Sequence, residues 1–378
     1  MVRGLLVSGV ASGAALVLVA SSCNLLENPR PRPAPPKSGP AGKPLLRRGM
    51  NLGNALDAPS EGEWGVVLDE SDFERVHAAG FDHVRLPVRF SGHASTEAPF
   101  TIDPGFLKRV DWAVGQALAH DLAVIVDLHH YEELMTEPDA HAARFVGLWR
   151  QIAEHYRSAP EAVCFELLNE PHDKLSADRW NALLPEALAA VRATNPTRQV
   201  VIEGVDWASA KDLRDTLRVP DDPALVGSFH MYQPILFTHQ GAPWMPPEFQ
   251  TTGVRFPGPP PSPLTPASGV QSVAWARTWF DGYNRDPVET NPSGPATIAE
   301  QIEMARAFAA AHHVPVYMGE FGVIDHADMA SRVAWIGMTR RAAEAAGFGW
   351  AYWDDGAGFR AYDRSRGAWI PELLAALR

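Results

Sequence analysis

The chain has 378 residues, 46% hydrophobic and 21% charged, ample for one large buried core and unlike a disordered polypeptide. Its 45 acidic against 33 basic residues give a formal net charge of -12, which repels nucleic-acid phosphates and anionic lipid surfaces, so neither is an expected partner. Two cysteines, Cys23 and Cys164, build neither a disulfide framework nor a thiolate zinc site.

Residues 1–23 read as a secretory signal peptide: Arg3 is a short basic start, Gly4 to Ala20 is apolar and rich in small residues, and "VASSC" follows. The run is at the short end for a retained bilayer span. The small residues before Cys23 resemble a bacterial lipobox, with Ala20 where leucine is usual. That resemblance implies lipidation of Cys23 and a place at the cell surface; without it, the protein is simply secreted. Residues 24–44, "NLLENPRPRPAPPKSGPAGKP", hold too little apolar surface to offset ordering entropy and read as an extended tether. The folded domain is expected over 45–378.

Within that domain short apolar runs alternate with amphipathic segments. The runs are "RRGMNLG" (47–53), "FDHVRLPV" (81–88), "LAVIVDLHH" (122–130), "AVCFELLNE" (162–170), "RQVVIEG" (198–204), "ALVGSFHMY" (224–232), "VPVYMGEFG" (314–322) and "FGWAYWDD" (348–355). Helical patterns fall between them, at 106–120, 141–156 and 297–312 among others. Strands interleaved with helices at this length predict an α/β fold, a (β/α)8 TIM barrel forming a single catalytic domain. A doubly wound open sheet is the alternative, but no strand leads into a G-x-G-x-x-G phosphate loop. One segment interrupts the alternation: "RFPGPPPSPLTP" (255–266) reads as a surface loop, and "VAWARTWFDGY" after it as a short helix or a lid.

In such a barrel the catalytic groups sit at the carboxyl ends of the strands. There the runs carry Asn51 and Asn54, Arg85, His129 and His130, Asn169 and Glu170, His230 and Tyr232, Glu320, and Trp353. Any one of them alone is as readily a helix cap or a contact with water; together they converge on one mouth. Glu170 and Glu320 fit the cleavage of a glycosidic bond, which needs one carboxyl group to protonate the leaving oxygen and another to meet the positive charge at the sugar carbon. Their surroundings must differ, one holding a proton and the other ionised. Arg85 lies in an otherwise apolar strand and is the natural partner of the ionised carboxylate.

A metal site has less support. Asp127, His129 and His130 cluster, but His230 is the only further strand-end histidine, no H-x-H stands on the first strand, and His312 and His313 lie on a helix. No metal and no cofactor is expected.

"LLNEPHD" and "YMGEFGV" resemble the N-E-P and G-E-F signatures of glycoside hydrolase family 5, the cellulase-containing family of retaining barrel enzymes. "RGMNLGNAL", "EGEWGV", "FDHVRLPVRFSGHA", "DLHHYEELM", "FHMYQPILFTHQGAPW" and "GWAYWDDGAGFRAYD" resemble blocks of its bacterial endoglucanase-like branch, in order, over nearly the whole domain.

The resemblance implies Glu170 as acid/base and Glu320 as nucleophile, with their carboxyl groups about 5 Å apart. It implies that Asn169 binds the sugar 2-hydroxyl, that Arg85 and Tyr232 hold Glu320, and that His129 and His230 orient carboxylates and substrate. Trp353 is the implied floor under the sugar; Asn54, His130, His239 and Trp244 are implied sugar contacts, with packing under its loop as the other role for Trp244. Two departures stand out: Asp57 replaces a frequent glutamate, and "WDDGAGF" differs from a "WEF" wording.

The expected substrate is a β-1,4-linked polysaccharide, glucan first, with mannan, mixed-linkage glucan or xyloglucan as alternatives, cut by a monomer. From a different class, the same aromatics suit a sugar-binding barrel that has lost catalysis, but such a protein need not keep both glutamates with Asn169, Arg85 and Tyr232.

Overall fold

The computed structural model describes residues 46–378. The expected signal peptide, Cys23 and the tether to residue 44 lie outside the described residues, as does Leu45 at the expected start of the domain.

Eight strands close into one barrel in chain order: β1 (Arg48–Asn51), β2 (His83–Val88), β3 (Ala123–Leu128), β4 (Val163–Glu166), β5 (Val200–Glu203), β6 (Leu225–Met231), β7 (Val316–Phe321) and β8 (Gly349–Tyr352). All pairings are parallel, and Met50 closes the ring by pairing with both Val84 and Tyr352. Each strand falls inside one of the eight apolar runs. Those runs are continuous rather than alternating because a parallel strand covered by helices is buried on both faces.

The barrel lumen is filled by Ile125, Cys164, Val201, Val226, Tyr317 and Ala351, one residue from each of β3 to β8. Cys164 is thus part of the packed interior. A larger apolar layer, including the buried Trp149, Trp180, Trp335 and Trp350, lies between strands and helices.

The helices expected at 106–120, 141–156 and 297–312 are Pro104–Ala119, Pro138–His155 and Pro295–His312. Each begins earlier than its apolar pattern, with proline in the first turn, where the missing N–H has no intrahelical partner to lose.

The proline-rich segment contains no helix or strand, as expected, but it is not a purely superficial loop. Val254 and Phe256 are buried, the Phe256 ring lies 5.7 Å from that of Phe237, and Gln240 bonds both the N–H and the C=O of Val254. The segment after it is the helix Ala274–Arg285. Among the described residues no helix is long and apolar enough to cross a membrane.

One irregularity shapes the mouth. Between β6 and β7 the register moves from Phe229 opposite Met318 to His230 opposite Glu320, so Gly319 is an extra residue on β7. A bulge of this kind re-aims neighbouring side chains. A Cβ on Gly319 would lie 2.8 Å from Ser228 Oγ and 3.0 Å from His230 Nε2, so glycine leaves room for the His230 ring.

Candidate active site

At the centre of the mouth Arg85, fully buried on β2, uses its whole guanidinium fork. Nε and Nη2 donate to the two oxygens of Glu166, each at 2.8 Å. Nη1 donates to Glu320 Oε1 at 2.7 Å and Asn51 Oδ1 at 3.0 Å, and Nη2 also donates to Asn169 Oδ1 at 2.8 Å. Asp127 Oδ2 lies 3.0 Å from Nη2. Burial opposes the charge, yet Asp127, Glu166 and Glu320 hold the guanidinium well above its ordinary range. The expected pairing with one ionised carboxylate is therefore a hub joining three.

Glu320, at the end of β7, accepts from Arg85 on one oxygen and from the Tyr232 hydroxyl on the other, at 2.8 Å. Burial pushes its carboxyl up, while His230, Arg85 and the Tyr232 hydroxyl pull toward the carboxylate. Both oxygens thus meet donors, which is the setting of an anion. Glu170, beyond β4, is more exposed, and its Oε1 lies 2.7 Å from His230 Nδ1. Its backbone has φ 48, in the left-handed region, and its N–H donates to Glu203 Oε2 at 2.7 Å. Glu170, His230 and Glu320 each present an atom within 4.8 Å of the others.

Asn169 gives its carboxamide oxygen to Arg85, a donor-only partner, so the NH2 is the end left for a ligand hydroxyl. Trp353 follows β8 and lies parallel to His129, with ring centres 5.8 Å apart and planes at 4°. Gly53 makes room for it: a Cβ there would meet the Trp353 ring at 2.5 Å. His129 Nδ1 is held by Asp127 at 2.5 Å, and burial keeps its ring well below the usual histidine range, hence neutral. Its carboxylate partner is thus Asp127 rather than either glutamate of the pair.

The cellulase model of glycosyl hydrolase family 5 matches residues 40–358.

The chain belongs to glycosyl hydrolase family 5.

Among relatives, Endoglucanase H of Acetivibrio thermocellus is 32% identical over 335 residues, 87% of this chain and 32% of its own length. The chain therefore spans about a third of that larger protein. Endoglucanase C of the same organism is 28% identical over 305 residues, covering 77% of this chain and 85% of the relative. Thermotoga maritima Cel5A, solved in complex with cellobiose, is 36% identical with a TM-score of 0.78, covering 88% of this chain and 97% of that one; the same protein has been solved with mannotriose.

Around the centre of this family 5 barrel the outer candidates sit as follows. Asn54 donates from Nδ2 to Asp354 Oδ2 at 2.6 Å, and Asp57 accepts the N–H groups of Asn54 and Ala55. His130, with φ 49, turns its ring onto His129 and meets Trp64 edge to face. His239 packs between Tyr232 and Phe359, and burial holds it down to about 3, so it is neutral. Trp244 is 61% exposed beside Phe359, so it is not packed under its loop.

Sequence reasoning missed three buried carboxylates, Glu166, Glu203 and Asp354, and the exposed Trp207, which stacks on His172 at 4.8 Å. The signal for the first two was present: a glutamate inside "VCFELL" and another inside "VVIEG" sit where an unpartnered charge is expensive to bury.

Three groups offer metal-ligand atoms within reach of one another: Asp57 with His129 and His130, Glu166 with Glu203 and His230, and Glu170 with His230 and Glu320. In the last two the histidine is already committed to carboxylates on both ring nitrogens, so a cation there would displace existing ion pairs.

Proposed function

We propose that this family 5 barrel is a retaining endo-β-1,4-glucanase working by double displacement, with Glu320 as nucleophile and Glu170 as acid/base. The observation that carries the reading is the asymmetric pair itself. Oxygens of Glu170 and Glu320 lie within 4.8 Å across the mouth, which suits the separation of about 5 Å of retaining enzymes rather than the wider gap that holds a water. Glu320 is fixed by two donors and keeps a lone pair for the sugar carbon; Glu170 faces the opening.

In the first step Glu320 attacks the anomeric carbon while Glu170 gives its proton to the departing oxygen, leaving a covalent glycosyl-enzyme. In the second, Glu170 takes a proton from water, which displaces Glu320 from the sugar. The Asn169 amide binds the 2-hydroxyl through a hydrogen bond that strengthens as charge grows on the ring. Trp353 provides an apolar floor for the sugar face. Tyr232 and Arg85 stabilise Glu320 as the leaving carboxylate of the second step.

Glucan is the first substrate because the relatives are named endoglucanases and Cel5A has been solved with cellobiose. Mannan is the second, since the same Cel5A has been solved with mannotriose. Export, lipidation at Cys23 and action as a monomer complete the proposal; the first two rest on residues 1–23.

The test is reducing-sugar release from carboxymethyl cellulose, barley β-glucan, glucomannan and galactomannan in parallel, with Glu170→Gln as control. Activity that is lost in the control ranks the substrates. Absence of turnover on all four overturns the glucanase reading and favours a sugar-binding barrel.

A further inference from the structure

Glu203 ends β5 and is fully buried, and three groups converge on it. The Glu170 N–H donates to Oε2 at 2.7 Å, the Ser228 hydroxyl donates to Oε1 at 3.0 Å, and His230 Nε2 lies 2.9 Å from Oε1. The last contact is short but poorly directed, so its effect is chiefly coulombic. On the other side of the same imidazole, Nδ1 is 2.7 Å from Glu170 Oε1 and 3.6 Å from Glu320 Oε2.

We propose that Glu203 is a positioning residue for the acid/base: it keeps a proton on His230 Nε2, so that Nδ1 and Glu170 share the catalytic proton, and it pins the Glu170 backbone. The inference rests on the assignment of Glu170 as acid/base.

The argument is one of proton counting. An imidazole with a carboxylate at each nitrogen is repelled by one of them unless both nitrogens carry protons or one carboxyl group does. Glu203, facing Nε2, assigns that proton. Before the reaction one proton lies between Nδ1 and Glu170 Oε1, either as an imidazolium beside a carboxylate or as a neutral imidazole accepting from the carboxyl group. Delivery of that proton to the leaving oxygen leaves the Glu170 carboxylate beside a neutral His230, and the proton taken from water in the second step restores the pair. The Nε2 proton stays throughout, which is the service an orienting carboxylate gives a catalytic histidine.

The surrounding charges agree. Facing His230 are Glu203 from β5, Glu170 from beyond β4 and Glu320 from β7, with His129 of β3 nearby. Facing Glu203 are His230 and, at longer range, Arg85 of β2, Glu166 of β4 and Asp127 of β3. Burial acts against the charge of His230, but Glu203 and Glu320 carry it well above the usual histidine range. Burial likewise pushes Glu203 up, and His230 and Arg85 outweigh it, holding the carboxyl down to about 2.

The backbone contact has a second consequence. A non-glycine residue at φ 48 is in a sparsely populated conformation that persists only where surrounding bonds hold it. Here the N–H goes to Glu203 and the C=O accepts from His172 Nδ1 at 2.6 Å, so the strained residue is tied on both sides.

The experiment compares wild type, Glu203→Gln and Glu203→Ala as full chains, reading kcat/KM against pH on cellotetraose and on 2,4-dinitrophenyl β-cellobioside. Removing the charge lowers the affinity of the His230 and Glu170 pair for its proton. The alkaline limb on cellotetraose is therefore expected to move down by about one pH unit in both variants. The activated substrate needs no proton in its first step, so its kcat/KM is expected to stay within about threefold in Glu203→Gln.

A uniform loss at every pH with the limb unmoved overturns the proposal in favour of a merely structural role. If Glu170→Ala loses both substrates equally, the acid/base assignment itself fails, which is a separate result. Should the Glu203 variants not fold, imidazole nitrogen NMR of the wild-type protein decides: a proton on Nε2 of His230 from pH 5 to 8 is expected, and an unprotonated Nε2 overturns the proposal.

Discussion

Arg85 and Glu166 form a bidentate pair at 2.8 Å on each arm, at the bottom of the mouth and fully shielded from water. The pair lies beneath the two catalytic candidates and occupies the guanidinium edge that Glu320 does not use. A buried cation shared among three carboxylates sets both the shape of this site and its response to pH.

Arg85→Met is expected to destabilise the barrel by about 3–5 kcal/mol near neutral pH, because it leaves buried carboxylates uncompensated. Glu166 already sits at about 7 through burial, against an ordinary 4.5. Without the guanidinium it rises further, so the variant's deficit is smallest below 4.5 and grows as pH climbs. Thermal melts of both proteins at pH 5 and pH 7 check this; an equal deficit at the two pH values contradicts the hub.

Glu320→Ala and Glu170→Ala should fail differently. Glu320→Ala is expected to lose turnover by at least about 10⁴-fold and to recover part of it with azide, yielding the inverted glycosyl azide. Glu170→Ala is expected to form the glycosyl-enzyme at near wild-type rate from dinitrophenyl cellobioside, with azide accelerating its breakdown. Burst kinetics and product stereochemistry separate the two, and identical behaviour would contradict the division of roles.

Gly53→Ala tests the floor of the site. The new methyl meets Trp353 ring carbons at 2.5 and 2.8 Å, so the indole must tilt away. An overpacking cost of about 1–3 kcal/mol is expected, with kcat/KM down by about tenfold or more. A variant with unchanged kinetics would show that Trp353 does not support the sugar.

Asp354 gives a stability signature. Burial pushes its carboxyl from an ordinary 3.8 up to about 8. A carboxyl group raised in this way contributes stability that is intact below 3.8 and lost as pH rises through about 8. Asp354→Asn removes that loss while an amide oxygen remains to accept from Asn54. Relative to wild type, the variant's melting temperature is therefore expected to improve from pH 5 to pH 9, as differential scanning calorimetry would show; a difference independent of pH rules the raised carboxyl out.

The eight strands and the carboxyl-end candidates were legible because both signals are local in the chain. A strand covered on two faces needs a continuous apolar run, and Asn169, Glu170, Glu320 and Trp353 each close such a run. The helix starts were less legible, because the first-turn prolines Pro104, Pro138 and Pro295 open their helices without belonging to the apolar period. Glu166 and Glu203 were passed over although they break apolar runs, because a buried carboxylate reveals its purpose only through its partner.

By itself, the sequence determined the order of strands and helices and the placing of two glutamates at the ends of β4 and β7, since apolar period and run ends depend on neighbours in the chain. Tertiary structure alone decided who pairs with whom. Arg85 reaches Glu166 across 81 residues and Glu320 across 235, contacts that exist only once the ring has closed. His230 comes to lie between Glu203, Glu170 and Glu320 because Gly319 shifts the β6–β7 register and offers no side chain in its way. Register and closure are properties of the whole barrel, and the charge states of the site follow from them.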